Sequence, residues 1–341
     1  MVVHEQTARR AAPDDAMEAP PDGVICAFAF EGGVGAPAEA ANLAAAASGA
    51  GWTWLHVRLS DARALAIVRR VPGLPPRALQ LFLTQEERIQ LEQADGWVFG
   101  VLPDYERDLG GAPQKEGRLC FAFDDTHLVT GRLHALLAVD DLRLAVVAGE
   151  QVSSPAAALT RLFELFASRT EAVLEELGDQ LAQVEDYVLA GPAAPREAHL
   201  TSLRRQIWRR RRETQTLRRV FARVVPGRHG RGVEAFDDSI AAALAWLEDV
   251  DHEAADLQER GRLLHEEIDT LLNAATNRSM RTLTVISTLL IPPTLIVGAF
   301  GMNVPGIPWE HSATGFWTAS ALCAAVVVGA LWLLRRLGMF S

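Results

Sequence analysis

The residues best suited to handle an ion lie along one side of an apolar segment near the C-terminus. Between positions 277 and 298, amide, hydroxyl and thioether side chains recur every three or four residues, separated by Leu, Ile and Gly. The set is Asn277, Met280, Leu283, Thr284, Ser287, Thr288, Ile291, Thr294, Leu295 and Gly298. A polar stripe is unfavourable against acyl chains, but several copies of it around one axis would line a water-filled channel. Helix–helix packing through small hydroxyl residues is the alternative, and the periodicity alone leaves both open.

Two adjacent prolines, Pro292 and Pro293, interrupt the backbone bonding of this segment. Neither has an N–H group, so the carbonyls of Thr288 and Leu289 lose their helical partners. In a membrane such carbonyls must be satisfied by water, side chains or ions. The double proline therefore favours a wet axis.

The element that must position the stripe is predicted to be a membrane-spanning helix at about 282–300. Leu283–Phe300 contains no charged residue and spans roughly 27 Å as a helix, close to the thickness of a hydrocarbon core. A short loop at 301–314 and a second apolar segment at 315–334 complete a hairpin. Arginines flank it only at 278, 281, 335 and 336, which predicts cytoplasmic termini, with 335–341 in the cytoplasm and the loop outside.

The residues before the hairpin are predicted to form a soluble α/β domain and a helical stalk. We expect a disordered tail at 1–21 without a signal peptide, a mixed, largely antiparallel sheet flanked by helices at 22–150, and a long helical hairpin at 151–235. The stalk helix at 236–300 then continues into the first span. Predicted strands are Val24–Phe30, Thr53–Leu59, Arg88–Leu91, Trp97–Leu102, Arg118–Phe123, His127–Thr130 and Leu142–Val147, and predicted short helices are Asn42–Ser48, Asp61–Arg70 with Ser60 as its cap, and Pro76–Leu83.

The long helices carry opposite charge. The helix predicted at Arg196–Val225 is rich in arginine, whereas the next one, starting near Asp237, is rich in Asp and Glu. They should therefore pack as antiparallel neighbours with paired charges. A third helix unbroken to Phe300 would be about 95 Å long, and one partner covers only one of its sides. Self-association around a central axis is the expected remedy.

Composition narrows the function classes. The net charge of −10 disfavours nucleic acid as a partner, since phosphate binding needs a basic footprint. Cys26, Cys120 and Cys323 are far apart and odd in number, as expected of reduced, buried thiols. Glu31–Gly35 lacks the Lys-Ser/Thr of a phosphate-binding loop, and no nucleophile elbow or catalytic metal motif is present. We therefore expect neither an enzyme nor a bound cofactor.

Two His–Asp pairs on the stalk have a spacing that could bind a metal. His252 with Asp256, and His265 with Asp269, stand four residues apart on the acidic helix. A solvated acidic face explains the same pattern, and it is the commoner situation.

The residues that end the first span indicate a family. Gly301-Met302-Asn303 resembles the Gly-Met-Asn motif of the CorA superfamily of divalent-cation transporters. The spacing of Asn277, Met280, Thr284, Thr288, Pro292 and Thr294 before the motif, and the early strand Trp54-Leu55-His56-Val57, are similar as well. The continuation through Gly306-Ile307-Pro308 is closer to the ZntB zinc-transporter branch than to the magnesium branch. Pro305 in place of Gly departs from that branch.

The resemblance implies a homopentamer in a bacterial inner membrane, with a funnel-shaped cytoplasmic part and a central pore lined by the first span. Gly301, Met302 and Asn303 would form the outer selectivity ring. The implied cargo is Zn²⁺, with Cd²⁺, Ni²⁺ and Co²⁺ as further candidates. An Mg²⁺/Co²⁺ channel is the alternative, and a membrane-anchored scaffold or sensor is a remote one. Zinc transport of this branch is proposed to be proton-coupled, and Leu283–Asn303 has no titratable residue. The candidates for the proton-coupling group are therefore Glu310 and His311 of the loop, or acids and histidines of the stalk.

Overall fold

The computed structural model describes residues 23–40, 51–107, 115–190, 197–223, 234–302 and 314–337. They belong to two compact units. The first comprises described residues up to Leu181 together with Leu203–Glu259, and the second comprises those of Ala182–Ser202 and from Arg260 onward. The predicted tail at 1–21 and the predicted helix at 42–48 lie outside the described residues.

The first unit is built on a seven-stranded sheet whose order is β2-β1-β3-β7-β6-β5-β4. Among the strands of the described residues, β3 and β7 are parallel and the other neighbouring pairs are antiparallel, which confirms the predicted mixed sheet. The strands are β1 (Val24–Glu31), β2 (Val34–Pro37), β3 (Trp52–Arg58), β4 (Gln90–Ala94), β5 (Trp97–Tyr105), β6 (Glu116–Phe123) and β7 (His127–Arg132). The helices are α1 (Ala62–Val68), α2 (Pro76–Thr84), α3 (Leu137–Val147), α4 (Pro155–Ala190), α5 (Glu197–Phe221), α6 (Glu234–Phe300) and α7 (Gly315–Arg336).

Aromatic and branched residues on both sides of the sheet form two cores. On one face, Phe28, Trp54 and Phe121 belong to a cluster that includes buried residues of α3, α4, α5 and α6. On the other face, Val57 and Phe99 pack with buried residues of α1 and α2. Because both faces are covered, β3 is buried at every position except Arg58, as expected of a central strand.

The segment Leu142–Val147 was predicted to be a strand, and this is wrong. It is the C-terminal half of α3, whose buried residues Ala138, Val139, Leu142 and Val146 recur at three- or four-residue spacing. A short run of Leu, Ala and Val does not distinguish a strand from a buried helix, and here packing on the sheet decides for the helix.

Local capping and turn chemistry also differ from the prediction in two places. Asp61, rather than Ser60, caps α1 by accepting a hydrogen bond from the backbone N–H of Arg63 at 2.9 Å.

Strand β2 was not predicted; it pairs with β1 through a turn in which Gly32 and Gly33 have φ of +58° and +86°. Glycine takes such angles without steric cost, so this pair of residues permits the hairpin.

The long helices follow the predicted charge pattern. Within the first unit, Arg211 of α5 bonds Asp251 of α6 at 3.2 Å, and Arg218 approaches Glu248 at 3.9 Å. Helix α6 is continuous for 67 residues and passes through Pro292 and Pro293 without a break. The part of α6 from Arg260 onward and α7 belong to the second unit.

Candidate metal-ion pathway

Helices α6 and α7 are long and apolar enough to cross a membrane. Within their unit they meet along one side of α6, where Val285, Leu289 and Ile296 are half-buried. The Cys323 thiol of α7 donates to the carbonyl oxygen of Pro293 at 3.9 Å. One side of the first predicted span is therefore covered by the second.

The predicted polar stripe lies on the side of α6 away from these contacts. Ile291 and Leu295 are 64% and 73% exposed, and the neighbouring stripe residues Asn277, Met280, Leu283, Thr284, Thr294 and Gly298 are also exposed. Thr288 is half-buried at the edge of the stripe next to the covered side, and Ser287 is half-buried although its helical position lies within the stripe. The structure thus leaves most of the stripe exposed on one side of a single chain.

The threonine hydroxyls of this face are oriented by their own helix. The Thr284 hydroxyl donates to the carbonyl oxygen of Met280 at 2.8 Å, and the Thr294 hydroxyl donates to that of Leu290 at 2.7 Å. A hydroxyl has one donor and two acceptor lone pairs. With the donor occupied inside the helix, each threonine offers only acceptor character to its surroundings.

The helix ends immediately before the Gly-Met-Asn motif. The backbone N–H of Gly301 bonds the carbonyl of Val297 at 2.9 Å, and that of Met302 approaches the carbonyl of Ala299 at 3.4 Å. Gly301 and Met302 are both exposed. Asn303, the third residue of the motif, and the predicted proton-coupling residues Glu310 and His311 lie outside the described residues.

The predicted stalk metal sites have two possible ligands each. His265 Nε2 lies 3.8 Å from an Asp269 carboxylate oxygen, and His252 and Asp256 are exposed on α6. Over the part of the chain that the structure describes, no group of three or more His, Cys, Asp or Glu residues could hold a metal ion. Metal binding at these pairs stays a prediction.

The early Trp-Leu-His strand places its histidine in the core rather than at a surface. His56 is fully buried, and its Nδ1 lies 2.8 Å from the Thr130 hydroxyl, which also accepts a bond from the Trp54 indole at 2.8 Å. Burial, and secondarily the charge of Arg132, hold the pKa of His56 well below its usual value. This histidine is therefore neutral near pH 7 and serves to hold β3 on β7.

A buried charge cluster in the first unit was not singled out from the sequence. Arg210 of α5 is paired with Glu116 of β6 and with Glu213 at 3.4 Å, while Arg118 reaches Glu213 at 3.1 Å. The Arg210 guanidinium also lies 5.1 Å from the centre of the Tyr105 ring. Burial, followed by the nearby Glu116, raises the pKa of Glu213 to about 7. Its only sequence signal is one Glu in a run of arginines.

Comparison with known proteins identifies the family of this chain. Residues 49–336 match the family model described as CorA-like Mg²⁺ transporter protein. The chain belongs to the CorA family. CorA is a family of transporters rather than of enzymes, which agrees with the lack of catalytic motifs noted above.

Individual relatives carry two names. The zinc transport protein ZntB of Pectobacterium carotovorum is 26% identical over 230 residues, which cover 62% of this CorA-family chain and 64% of the relative. The divalent cation transporter CmaX of Pseudomonas aeruginosa is 28% identical over 293 residues, covering 83% of this chain and 86% of the relative. The solved full-length CmaX structure aligns with a TM-score of 0.77 at 25% identity, over 93% of this chain and 98% of that one. The resemblance to the CorA superfamily, including its ZntB-like members, is confirmed.

Proposed function

We propose that the protein transports divalent metal cations across a membrane, with Zn²⁺ as the first candidate and Cd²⁺, Ni²⁺ and Co²⁺ as further ones. Ions would pass through a central pore lined by α6 in a homopentamer. The observation that carries this proposal is the polar stripe of α6, which is exposed on the side away from α7. In a lone hairpin this face would meet lipid, whereas around an axis it meets water.

The hydrogen bonding of the stripe fits a hydrated cation. Water molecules around a cation turn their oxygens inward and their hydrogens outward. Thr284 and Thr294, whose hydroxyl donors are used within the helix, can accept those outward hydrogens. Small divalent ions give up water reluctantly, so recognition through the water shell permits passage without dehydration.

The Gly-Met-Asn motif would form the outer entrance, as the family resemblance implies. Five copies of Asn303 provide neutral carbonyl oxygens that can also bond the water shell. Tight coordination of Zn²⁺ by His or Cys would retain the ion, and no His or Cys occurs between Leu283 and Asn303. This composition supports passage rather than storage.

Flux into liposomes loaded with a metal-sensitive dye tests the proposal. Asn303→Ala should reduce Zn²⁺ uptake at least tenfold, while the matched control Ser320→Ala on α7 should transport like the wild type. An inactive wild type that is folded and inserted, or an Asn303→Ala variant with unchanged flux, would refute the pore. A scaffold or sensor would give a wild type that is folded and inserted but transports no Zn²⁺.

The identity of the cation has two candidates. Similarity to ZntB and the Gly306-Ile307-Pro308 loop favour Zn²⁺, whereas the family description and the Gly-Met-Asn spelling favour Mg²⁺ or Co²⁺. Competition of Zn²⁺ uptake by Cd²⁺, Ni²⁺, Co²⁺ and Mg²⁺ separates them. Zinc transport predicts inhibition by Cd²⁺ at concentrations where Mg²⁺ has no effect, and the reverse order indicates a magnesium channel.

The proton-coupling group should lie outside the first span, because there is no titratable side chain between Leu283 and Asn303. The outer loop is our first candidate, and acids and histidines of the stalk are the alternative. Glu310 and His311 are the proposed groups. The pH dependence of Zn²⁺ uptake should flatten in Glu310→Gln combined with His311→Ala. An unchanged pH profile would assign the coupling to another part of the protein.

We place the protein in a bacterial inner membrane with both termini in the cytoplasm, since the arginines at 278, 281, 335 and 336 flank the hairpin. The α/β domain at 22–150, the helical hairpin at 151–235 and the stalk would then be cytoplasmic. Thiol labelling of Ser341→Cys in intact cells tests this orientation. Labelling by a membrane-impermeant reagent before lysis would contradict it.

A further inference from the structure

One face of α5 carries arginines that have no acidic partner within the described chain. Arg205, Arg209, Arg212 and Arg219 are exposed on the same side of the helix, and the described residues include no ion-pair partner for any of them. In contrast, Arg211 and Arg218 of the same helix pair with acids of α6. These four exposed arginines are called the arginine face below.

An aromatic side chain lies within the arginine face. Trp208 is 50% exposed, and the Arg212 guanidinium lies 5.4 Å from the centre of its ring. Exposed Trp and Arg are the residue types most enriched at the centres of protein interfaces. The arginine face therefore has the composition of a docking surface, not only that of a solvated helix.

The same unit has an acidic surface without matching cations. Glu171, Glu175, Glu176 and Asp179 are exposed on α4, and no described Lys or Arg pairs with them. Partial burial, and then the charges of Glu171 and Glu175, raise the pKa of Glu253 on α6. The four α4 residues are called the acid face; their charges crowd one another in the isolated chain.

We propose that the arginine face of one copy docks on the acid face of the next copy. This contact rests on the self-association in the proposed function and names the surfaces that join its soluble parts. A second copy neutralises both surfaces at once, whereas anionic lipid or nucleic acid would neutralise only the arginines. Two different patches that meet head to tail form a heterologous interface, which closes into a ring when the rotation permits.

Cross-linking between differently tagged copies tests the contact. One copy carries Arg205→Cys and the other Glu176→Cys, so any linked product contains two chains. We expect a short bis-thiol reagent to join them in membranes. A matched pair with Arg69→Cys, an exposed arginine of the turn after α1, should give only background. A yield no higher than this background would refute the contact.

Charge-reversal substitutions test whether electrostatic attraction holds the two faces together. Arg209→Glu with Arg212→Glu should lower the cross-linking yield about fivefold, because two attractive pairs become repulsive. Adding Glu171→Arg and Glu175→Arg should restore it, and rising salt should weaken the wild-type yield. If the arginine reversal leaves the yield unchanged but removes phospholipid that co-purifies with the protein, the arginine face binds lipid and the proposal is wrong.

Failure of this contact is distinguishable from failure of the pore. Ile291→Cys copies should cross-link to one another on the stripe of α6. If they do so and the wild type transports Zn²⁺, while the Arg205→Cys and Glu176→Cys copies stay unlinked, only the docking contact fails. A wild type that is monomeric in lipid would remove both proposals.

Discussion

The sheet of the first unit and the helical pair of the second unit use similar apolar side chains in opposite ways. Trp54 and Phe121 are completely buried in the sheet core, whereas Trp317 and Leu295 are 72% and 73% exposed. The sheet thus supplies its own apolar environment, while α7 and the part of α6 from Arg260 onward expose apolar side chains at the surface of the chain. Stability in the sheet should depend on internal packing, and the helical pair should depend on lipid and on other copies.

The largest effect expected from this comparison is on the sheet core. Trp54→Ala removes a buried indole and its bond to Thr130, so it should lower the free energy of unfolding of the first unit by about 4 kcal/mol. Trp317→Ala, in the exposed surface of α7, should leave that transition nearly unchanged. Urea unfolding followed by far-UV circular dichroism in detergent measures both. Equal shifts would contradict the comparison.

The second-largest effect should be a dependence of the unfolding free energy on pH, and it should be confined to the first unit. Because native Glu213 holds its proton more tightly than the unfolded chain does, with a pKa of about 7 against an ordinary 4.5, unfolding free energy should fall as pH rises between these values. The loss from this group is up to about 3 kcal/mol. Glu213→Gln should remove it, and Glu31→Gln, at an exposed position, should not. Parallel pH profiles for wild type and Glu213→Gln would refute the assignment.

A smaller effect is expected where the sheet holds the start of α3. The Asp104 carboxylate accepts hydrogen bonds from the backbone N–H groups of Ala138 at 3.1 Å and Tyr105 at 2.7 Å. Asp104→Ala leaves these buried donors unsatisfied and should cost about 2 kcal/mol of unfolding free energy. Asp104→Asn, which keeps one acceptor oxygen, should cost less. If the two variants are equally stable, the carboxylate does not hold the helix.

The smallest change in stability should accompany a clear change in flux. Thr284→Val and Thr294→Val remove acceptor oxygens from the stripe but keep the side-chain shape, so unfolding should shift by less than about 0.5 kcal/mol. Zn²⁺ uptake should nevertheless fall several-fold. Thr318→Val on α7 is the matched control, because its hydroxyl also bonds a backbone carbonyl, that of Gly315 at 2.9 Å. An equal loss of flux in Thr318→Val would show that the effect is not specific to the threonines of the stripe.

Patterns that extend over many residues predicted the structure correctly, whereas patterns confined to a few residues did not. The charge pairing of α5 with α6 follows from spacing that repeats over several helical turns, whereas the lining of a pore by the stripe of α6 stays a prediction. The strand prediction for Leu142–Val147 failed because a six-residue segment with five apolar residues fits either secondary structure. Ser60 and Asp61 are both good caps, and only backbone geometry selects Asp61.

The buried charge cluster could not be predicted for a different reason. Arg210 and Glu213 stand among exposed arginines of α5, and composition cannot tell which arginine faces the sheet. Their partners Glu116 and Arg118 are more than ninety positions away in the sequence. Burial of such pairs depends on where a helix lies on a sheet, which is a property of the tertiary structure.

In the proposed pore, the hydroxyl geometry of α6 would have a consequence for charge selection. A hydrated chloride ion presents the oxygens of its water shell, and these need hydrogen-bond donors that the inward-bonded Thr284 and Thr294 do not supply. Two rings of such threonines would discriminate between anions and cations although neither ring carries a net charge.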